Sequence, residues 1–251
     1  MDANEGVRFV DDCLAIGFTI NNPVGPGNLT PTLVSTGAGA SAIQNATGNA
    51  NFATGNVVVG EYAFQTGLGD AGAYCGLFGS VNGSESGNSV ALVSDAGGNI
   101  LVDLDESFRV MFPILSTGAQ TFAGIVGLAD SVVPQQITPT NSIAFRYNSL
   151  QSPNWQAMVV SSSLGSFAIL DTGVTVTAGQ RYRLRFVMDA GSNSIRFYID
   201  GNLVATITTS IPTSVPMSIQ VAAYKSVGAN ACAINTDWVK NDVFYPFRRC
   251  N

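Results

Sequence analysis

Histidine is absent from the 251 residues of this chain, and charged residues make up only 11% of it. Without histidine, a Ser-His-Asp triad and a Cys-His pair are excluded, together with nearly all metal sites that use imidazole ligands. An enzyme built on this sequence would therefore have to use carboxylates. The low charge suits a neutral surface of turns and strand edges, so we expect few helices.

Basic residues are also scarce, with 11 Lys and Arg against 17 Asp and Glu and a net charge of −6. Proteins that bind a phosphate backbone do so mainly by neutralising it with basic groups, so no nucleic-acid partner is expected. Arg181, Arg183 and Arg185 alternate with apolar residues in "RYRLRF". This alternation predicts a strand whose arginines face solvent and whose apolar side chains face the core.

Long apolar runs are missing as well. No stretch approaches the ~18 residues that a membrane-spanning helix requires. The first residues carry acids where a secretion signal carries bases. We therefore expect a soluble protein without a classical export signal and without membrane insertion.

The four cysteines, Cys13, Cys75, Cys232 and Cys250, are scattered and follow no CxxC spacing. All four would have to converge from distant positions to bind zinc, so the sequence does not favour a zinc site. Two disulfides and four isolated thiols both remain open. No cofactor is expected, and calcium is the one ion that the carboxylates and Asn-rich loops could hold.

Short apolar runs between turn residues fill most of the chain. In "SNSIRFYIDGNLVATI", Ile195, Phe197 and Ile199 alternate with polar residues, and Asp200-Gly201 then supplies a hairpin turn. A dozen or so such runs predict an all-β fold, a two-layer antiparallel β-sandwich. No repeat or charged linker interrupts it, so we expect a single domain over residues 1–251, with residues 1–50 as an opening strand and a loop-rich N-terminal segment.

Two carboxylates share one face of a predicted strand in "VDLDES", namely Asp103 and Asp105. A glycosidase needs two carboxyl groups about 5–9 Å apart, one of them with a raised pKa. The alternative is that the pair is solvated or binds a cation through its oxygens. Asp103 and Asp105 are accordingly the candidate cation-binding residues.

Two tryptophans are the candidate platforms for a sugar ring. Trp155 follows a Pro-Asn turn in "SPNWQAM", where an exposed ring would stack on a sugar and Asn154 would add a polar contact. The alternative is that the ring belongs to the core, as an aromatic residue on a strand usually does. Trp238 lies among alternating residues in "TDWVK" and is expected to be partly buried. Trp155 and Asn154 are therefore the candidate carbohydrate-binding residues.

The order of segments in the second half resembles the concanavalin A-like lectin/glucanase jelly roll. The sequence runs through "LDTGVTVTAGQRYRLRFVMD", the Asp-Gly hairpin, the Pro-bounded "TTSIPTSVP", "SIQVAAYKS" and "NTDWV". More narrowly, it resembles the form of this domain found in bacteriophage and other viral structural proteins. "VRFVDDCLAIGF" and "SFRVMFPILSTGAQTFAGIVGLAD" are similar to the strands with which that family begins and builds its first sheet.

The resemblance also gives a test for catalysis. The glucanase branch of the family carries its catalytic carboxylates in an E-x-D-x-E strand. The nearest match here has Asp103 and Asp105 in the first two places, but the third falls on Ser107 and the carboxylate has moved to Glu106. A strand would point Glu106 to the opposite face. The alginate-lyase branch relies on a histidine, which this chain lacks, so we expect no enzymatic activity.

The resemblance implies a virion structural protein, that is, a capsid decoration, head fibre or tail-associated subunit located in the virion. Its expected partners are other virion proteins and host-surface glycans. A homo-oligomer is expected, with a trimer favoured, because long sheet edges are often covered by a neighbouring subunit. The alternative function is that of a lectin-like carbohydrate-binding module, and a carboxylate-based glycan-cleaving enzyme is the third.

Overall fold

The fold was analysed in a computed structural model of the chain. The structure describes residues 7–12, 32–36, 41–45, 62–65, 74–78, 89–95, 98–130, 140–162, 165–228, 230 and 232–244, the first five ranges as strand backbone. Within this part of the chain every regular element is a strand. No helix long and apolar enough to cross a membrane occurs among these residues.

The strands of the described residues are numbered in the order of the chain. They are β1 Val7–Asp12, β2 Thr32–Thr36, β3 Ser41–Asn45, β4 Tyr62–Gln65, β5 Tyr74–Phe78, β6 Ser89–Ala91, β7 Asp103–Met111, β8 Thr121–Ala129, β9 Asn141–Asn148, β10 Ser152–Ser161, β11 Ser166–Thr175, β12 Arg181–Met188, β13 Ile195–Ile199, β14 Asn202–Ile207, β15 Pro216–Val227 and β16 Ala233–Phe244.

These strands form two eight-stranded sheets. Sheet A has the order β14-β13-β12-β7-β16-β4-β3, with β1 also paired to β16. Sheet B has the order β11-β10-β9-β8-β15-β5-β2, with β6 also paired to β15. All strand pairs are antiparallel, from β7 with β12 to β8 with β15. The predicted all-β, two-layer antiparallel β-sandwich is confirmed.

The hydrophobic core lies between the sheets, because alternate side chains of each strand point inwards. On sheet A these include Phe108 and Phe186, and on sheet B Phe145 and Val221. Aromatic rings from both sheets meet there, as when Phe145 contacts Phe197 edge-on at 5.2 Å between ring centroids. The alternation therefore assigns each side chain to the core or to an outer face.

The hairpin predicted from the sequence is confirmed by β13 and β14. Asp200 and Gly201 both have positive φ, 51° and 86°, as a two-residue hairpin turn of the mirror-image type requires. The predicted arginine face is confirmed as well. Tyr182 is buried in the core, whereas Arg183, next to it on β12, is exposed on the outer face.

The outer faces of the two sheets differ in chemistry. Sheet A presents charged residues from three neighbouring strands, including Asp105, Arg185 and Lys240. On sheet B, the core-facing residues of β8, β9 and β15 alternate with small and polar outer-face residues such as Ser142 and Gln220, which are also buried. The charged side chains are therefore on the outer face of sheet A, whereas this part of the outer face of sheet B is buried.

The predicted N-terminal segment, residues 1–50, is described only at β1, β2 and β3, and its remainder lies outside the described residues. Of these strands, β1 pairs with the end of the chain through Val7 and Val243. The single-domain organisation of residues 1–251 stays a prediction. Among the four cysteines, Cys232 lies buried in the core, and the side chains of the other three are outside the described residues.

Candidate functional site

Strand β7 separates its carboxylates between two faces. Leu104 and Phe108 belong to the core, so Asp103 and Asp105 lie on the outer face of sheet A. Glu106 lies on the core side and is 0% exposed. The sequence predictions that Asp103 and Asp105 share a face and that Glu106 points away from it are both confirmed.

Asp105 is held between two cations. Arg185 Nε donates to its Oδ1 at 2.7 Å, and Lys240 Nζ donates to its Oδ2 at 3.1 Å. Partial burial alone would raise the pKa of Asp105, but the hydrogen bonds and charges of Arg185 and Lys240 outweigh it and lower the pKa. Lys240 also pairs with Asp242 at 2.5 Å. Asp105 is therefore ionised and neutralised, which is unsuitable for a general acid.

The predicted cation site at Asp103 and Asp105 is not supported by this geometry. Arg185 and Lys240 already occupy the positions of cations around Asp105. Asp103 Oδ1 instead accepts a hydrogen bond from the backbone N–H of Ala190 at 2.5 Å. No group of three or more His, Cys, Asp or Glu side chains that could hold a metal ion is present among the described residues. An ion-pair network therefore surrounds Asp105, and the cation site at these two residues stays a prediction.

Glu106 is a buried carboxyl group without a hydrogen-bond partner on either oxygen among the described residues. Burial raises its pKa well above the usual value, and the nearby charges of Asp105 and Asp242 raise it further, with Lys240 opposing them. A raised pKa is what a general acid needs, but this group lies in the core, beside Phe186 across the strand pair. It has no exposed surface with which to meet a substrate.

Trp155 is also in the core, and the prediction that it forms a sugar-binding platform is wrong. Its side chain is 0% exposed and packs between the sheets. Its ring centroid lies 5.5 Å from that of Phe112, 6.4 Å from that of Phe145 and 5.8 Å from that of Tyr182. A sugar needs an exposed ring face for stacking, and Trp155 offers none. The side chain of Trp238 is outside the described residues.

Asn154 lies at the surface beside Trp155, in a cluster of polar side chains at one end of β10 and β11. Its Nδ2 donates to Asp171 Oδ1 at 2.8 Å, and its Oδ1 accepts from Thr175 Oγ1 at 2.8 Å. Ser152 Oγ and the backbone N–H of Gly173 also donate to Asp171, and together with Asn154 they lower its pKa. Asn154 stays a predicted ligand-binding residue, now without its aromatic partner.

Arg146 is the most unusual side chain on the outer face of sheet B. It is only 2% exposed, and its Nε and Nη2 donate to Gln156 Oε1 at 3.0 and 2.9 Å. Nη2 also donates to Oε1 of Gln151, a residue of the exposed turn between β9 and β10. Loss of hydration lowers the pKa of Arg146. Both of its partners are neutral amides.

Further along the same face, three buried polar atoms have no hydrogen-bond partner among the described residues. These are Ser142 Oγ, Ser218 Oγ and Gln220 Oε1. Ser142 and Ser218 both pair with Ala129, from the strands on either side of it, and Gln220 pairs with the next outer-face residue, Gly127. Buried polar atoms nearly always have a hydrogen-bond partner, so three unpaired ones on one face are unusual.

Sequence reasoning missed Arg146, although a signal was present. In "SIAFRYN", Ile143, Phe145 and Tyr147 alternate with Ser142, Ala144 and Arg146. The pattern places the arginine on the face opposite the core. It does not reveal that this opposite face is buried too.

Comparison with solved structures identifies the fold. The chain aligns with the Shewanella oneidensis MR-1 protein of unknown function SO2946 at a TM-score of 0.55 and 13% identity, covering 97% of this chain and 89% of that one. It aligns with the Bacillus licheniformis β-glucanase at 0.52 and 16%, covering 94% and 98%. Peanut lectin gives 0.51 and 14%, covering 96% and 98%.

At these identities the likeness concerns the fold alone, which is the concanavalin A-like lectin/glucanase jelly roll. The predicted jelly-roll class is confirmed. No curated protein matches the sequence. The sequence family described as SO2946-like, C-terminal domain matches residues 73–237. That match spans more than half of the chain, from β5 to the start of β16, and the chain therefore belongs to the SO2946-like C-terminal domain family.

Proposed function

We propose that this chain is a non-catalytic binding subunit on the outside of a virion, as a capsid decoration, head fibre or tail-associated part. The observation that carries the non-catalytic assignment is the state of the carboxylates on β7. Asp105 is ionised between Arg185 and Lys240, and Glu106 is shut in the core. Neither can deliver a proton to a glycosidic oxygen, which retaining and inverting glycosidases both require.

The virion assignment rests on the resemblance of the sequence to viral structural jelly rolls. Its partners would be other virion proteins, without nucleic-acid binding or membrane insertion. The test is to purify candidate particles by density sedimentation and count copies of the chain by calibrated mass spectrometry. Many copies retained through washing are expected. A chain found wholly in the soluble fraction of infected cells would contradict the assignment.

A second function, glycan recognition by a lectin-like module, is favoured by the surface cluster around Asn154 and by the likeness of the fold to peanut lectin. The exposed side chains of Asp171 and Thr175, together with the amide of Asn154, can accept from or donate to sugar hydroxyls. Glycan recognition would give the subunit a contact with host surfaces.

The test of this second function uses an Asn154→Ala variant. It removes the amide that donates to Asp171 Oδ1 and accepts from Thr175 Oγ1, so we expect weaker glycan binding. Asn202→Ala is the matched control, because Asn202 is an exposed asparagine on β14 of sheet A. Equal glycan affinity in Asn154→Ala and the wild type, measured by calorimetry, would reject this cluster as the site.

A further inference from the structure

The outer face of sheet A concentrates basic residues in a protein that is acidic as a whole. The chain has 11 Lys and Arg and a net charge of −6. More than half of these basic residues lie on this one face, on four neighbouring strands: Arg109 of β7, Arg181, Arg183 and Arg185 of β12, Arg196 of β13, and Lys240 of β16. Clustered charge of one sign attracts ligands of the opposite sign.

The two ends of this face differ in how the charges are arranged. At one end the basic groups meet an acid, since Arg185 and Lys240 both donate to Asp105. At the other end Arg183 lies directly opposite Arg109 in the pairing of β12 with β7. Like charges in directly opposite positions destabilise a sheet. An anion bound between these two guanidinium groups would remove the repulsion.

A third arginine lies at the same end. Arg181 is the next outer-face residue of β12, and we call Arg109, Arg181 and Arg183 the arginine cluster. Asp200, in the adjacent hairpin turn, accepts a hydrogen bond from the backbone N–H of Arg183 at 2.8 Å through its Oδ1. The described side chains at this end thus place three guanidinium groups beside one carboxylate, which leaves a surplus of positive charge.

The arginine cluster is open to solvent, unlike the buried outer face of sheet B. Arg109 and Arg183 are exposed, and Arg181 is half-buried. On the neighbouring strands Tyr198 and Leu203 lie opposite each other on the same face. Arg185 covers part of the Tyr198 ring, at 5.6 Å from its centroid, whereas Leu203 is 56% exposed. The cations therefore have an exposed apolar surface next to them, on which a sugar ring can pack.

The spacing of the arginines favours one kind of anion. Directly opposite residues of an antiparallel pair have Cβ atoms about 5 Å apart, which brings the side chains of Arg109 and Arg183 within reach of one small group. A carboxylate has two oxygens, and a single guanidinium fork can bind both of them. A sulfate ester has three terminal oxygens, so it can accept hydrogen bonds from both arginines at once.

We propose that the outer face of sheet A binds a sulfated glycan, with one sulfate ester between Arg109 and Arg183 and a sugar ring against Leu203. This inference goes beyond the glycan recognition proposed for the cluster around Asn154, because it concerns the other sheet and a charged ligand. Phosphate esters have the same tetrahedral shape. A nucleic-acid backbone, however, needs a longer row of basic groups than this cluster provides.

The test compares sulfated oligosaccharides with their desulfated forms. Oligomers of heparin, chondroitin sulfate and carrageenan are each titrated against the full chain by calorimetry, beside the same oligomers after chemical desulfation. We expect at least one sulfated oligomer to bind about tenfold or more tightly than its desulfated form, because hydrogen bonds between two charged groups are the strong ones. Single-stranded DNA of similar length supplies phosphate instead of sulfate and should bind more weakly than that oligomer.

Arg183→Gln should weaken the binding of the sulfated oligomer by about tenfold. Its melting temperature without ligand should be unchanged or raised, because the substitution removes one of two like charges in opposite positions. Arg196→Gln is the matched control: it removes the same charge from the same face, but at the other end, where Arg196 Nη2 donates to Asp189 at 2.6 Å. It should bind within about twofold of the wild type, since solvent and salt screen distant charges.

Each other outcome would overturn the inference. Equal affinity for sulfated and desulfated oligomers would remove the sulfate, and DNA binding as tight as that of the best oligomer would remove the glycan. Equal losses in Arg183→Gln and Arg196→Gln would mean that net charge is responsible and not the arginine cluster. None of these results decides glycan recognition at the cluster around Asn154, which Asn154→Ala tests separately.

Discussion

Glu106 and Asp105 are adjacent residues whose pKa values move in opposite directions, because one side chain faces the core and the other faces two cations. The pKa of Glu106 is raised by burial, and that of Asp105 is lowered by Arg185 and Lys240 once the opposing effect of partial burial is included. Strand alternation alone produces this difference. It makes the stability of the protein depend on pH in two separable ways.

The first prediction concerns Glu106→Gln. The folded state keeps the proton of Glu106 to a higher pH than the unfolded state, whose carboxyl titrates near 4.3. Stability is therefore full below that pH and falls by about 1.4 kcal/mol per pH unit up to the raised folded pKa. Glu106→Gln should abolish this slope, so that the stability of the variant relative to the wild type increases as the pH rises above the unfolded pKa, measured by urea unfolding. Parallel stability curves for the two proteins would refute the prediction.

The second prediction, for Asp105→Asn, has the opposite sign. A lowered folded pKa gives stability above the unfolded pKa near 3.9, and this stability is lost as the pH falls through the folded value. The variant should be about 1 kcal/mol less stable at pH 7, because partly exposed ion pairs contribute modestly. The deficit should disappear towards pH 2 in the same unfolding measurement. A deficit that stays constant with pH would mean that packing, not charge, is responsible.

At the scale of the strand, the close approach of β8 to β9 depends on one glycine. A Cβ atom at Gly127 would lie 2.3 Å from the carbonyl oxygen of Ile143 and 2.6 Å from Ala144 Cα. These are backbone atoms, which cannot move away by a change of rotamer as side-chain atoms can. The pairing of the two strands at the centre of sheet B therefore excludes any larger residue.

The third prediction follows from this contact. Gly127→Ala should destabilise the protein by about 3 kcal/mol or more, since relief requires the two strands to separate. Gly118→Ala is the control, because a Cβ there meets nothing within 4 Å. It should stay within about 0.5 kcal/mol of the wild type in thermal or urea unfolding. Similar effects of the two substitutions would contradict the structure at β8.

The elements that the sequence predicted well are those with one buried face. In β12 and β13 polar and apolar residues alternate, so periodicity identified both the strands and their core side. Strand β10 is different. It begins with the same alternation, with Trp155 and Ala157 on the core side and Gln156 on the outer side, but Met158 and Val160 then continue the outer side with buried apolar side chains. The exposed position considered for Trp155 rested on the Pro-Asn turn before it, whereas the alternation with Gln156 places the ring in the core.

The candidate site was harder to predict than the fold, because it depends on distant pairings. In sheet B, Ser142 and Ser218 lie on either side of Ala129. Ala129 and Ser218 are nevertheless far apart in the sequence. The ion pairs of Asp105 likewise come from β12 and β16, far along the chain. Sequence spacing contains local periodicity, but not which strands become neighbours.

At the scale of the whole molecule, β11 is an edge strand of sheet B that lacks the usual protection. Its ten residues contain no lysine or proline, and Phe167 and Leu170 are 70% and 44% exposed. Long, apolar edges of this kind tend to pair with another chain. This edge supports the proposal of a homo-oligomer.

The fourth prediction is that the purified chain sediments as a trimer and that Phe167→Lys with Leu170→Lys shifts it towards the monomer. Lysine on an edge strand opposes pairing by charge and by hydration. Analytical ultracentrifugation over a range of concentrations measures the shift, and Leu150→Lys, at an exposed turn, serves as the control. A wild-type chain that remains monomeric at every concentration would contradict the prediction.

The burial of Trp155 has a spectroscopic consequence. Its indole lies between Phe145 of sheet B and Tyr182 of sheet A, out of contact with water. Its fluorescence should therefore be blue-shifted and protected from iodide quenching while the two sheets remain packed together. The difference in emission between the wild type and Trp155→Phe isolates this signal from that of Trp238. The fluorescence of Trp155 therefore reports whether the two sheets of the sandwich are packed together.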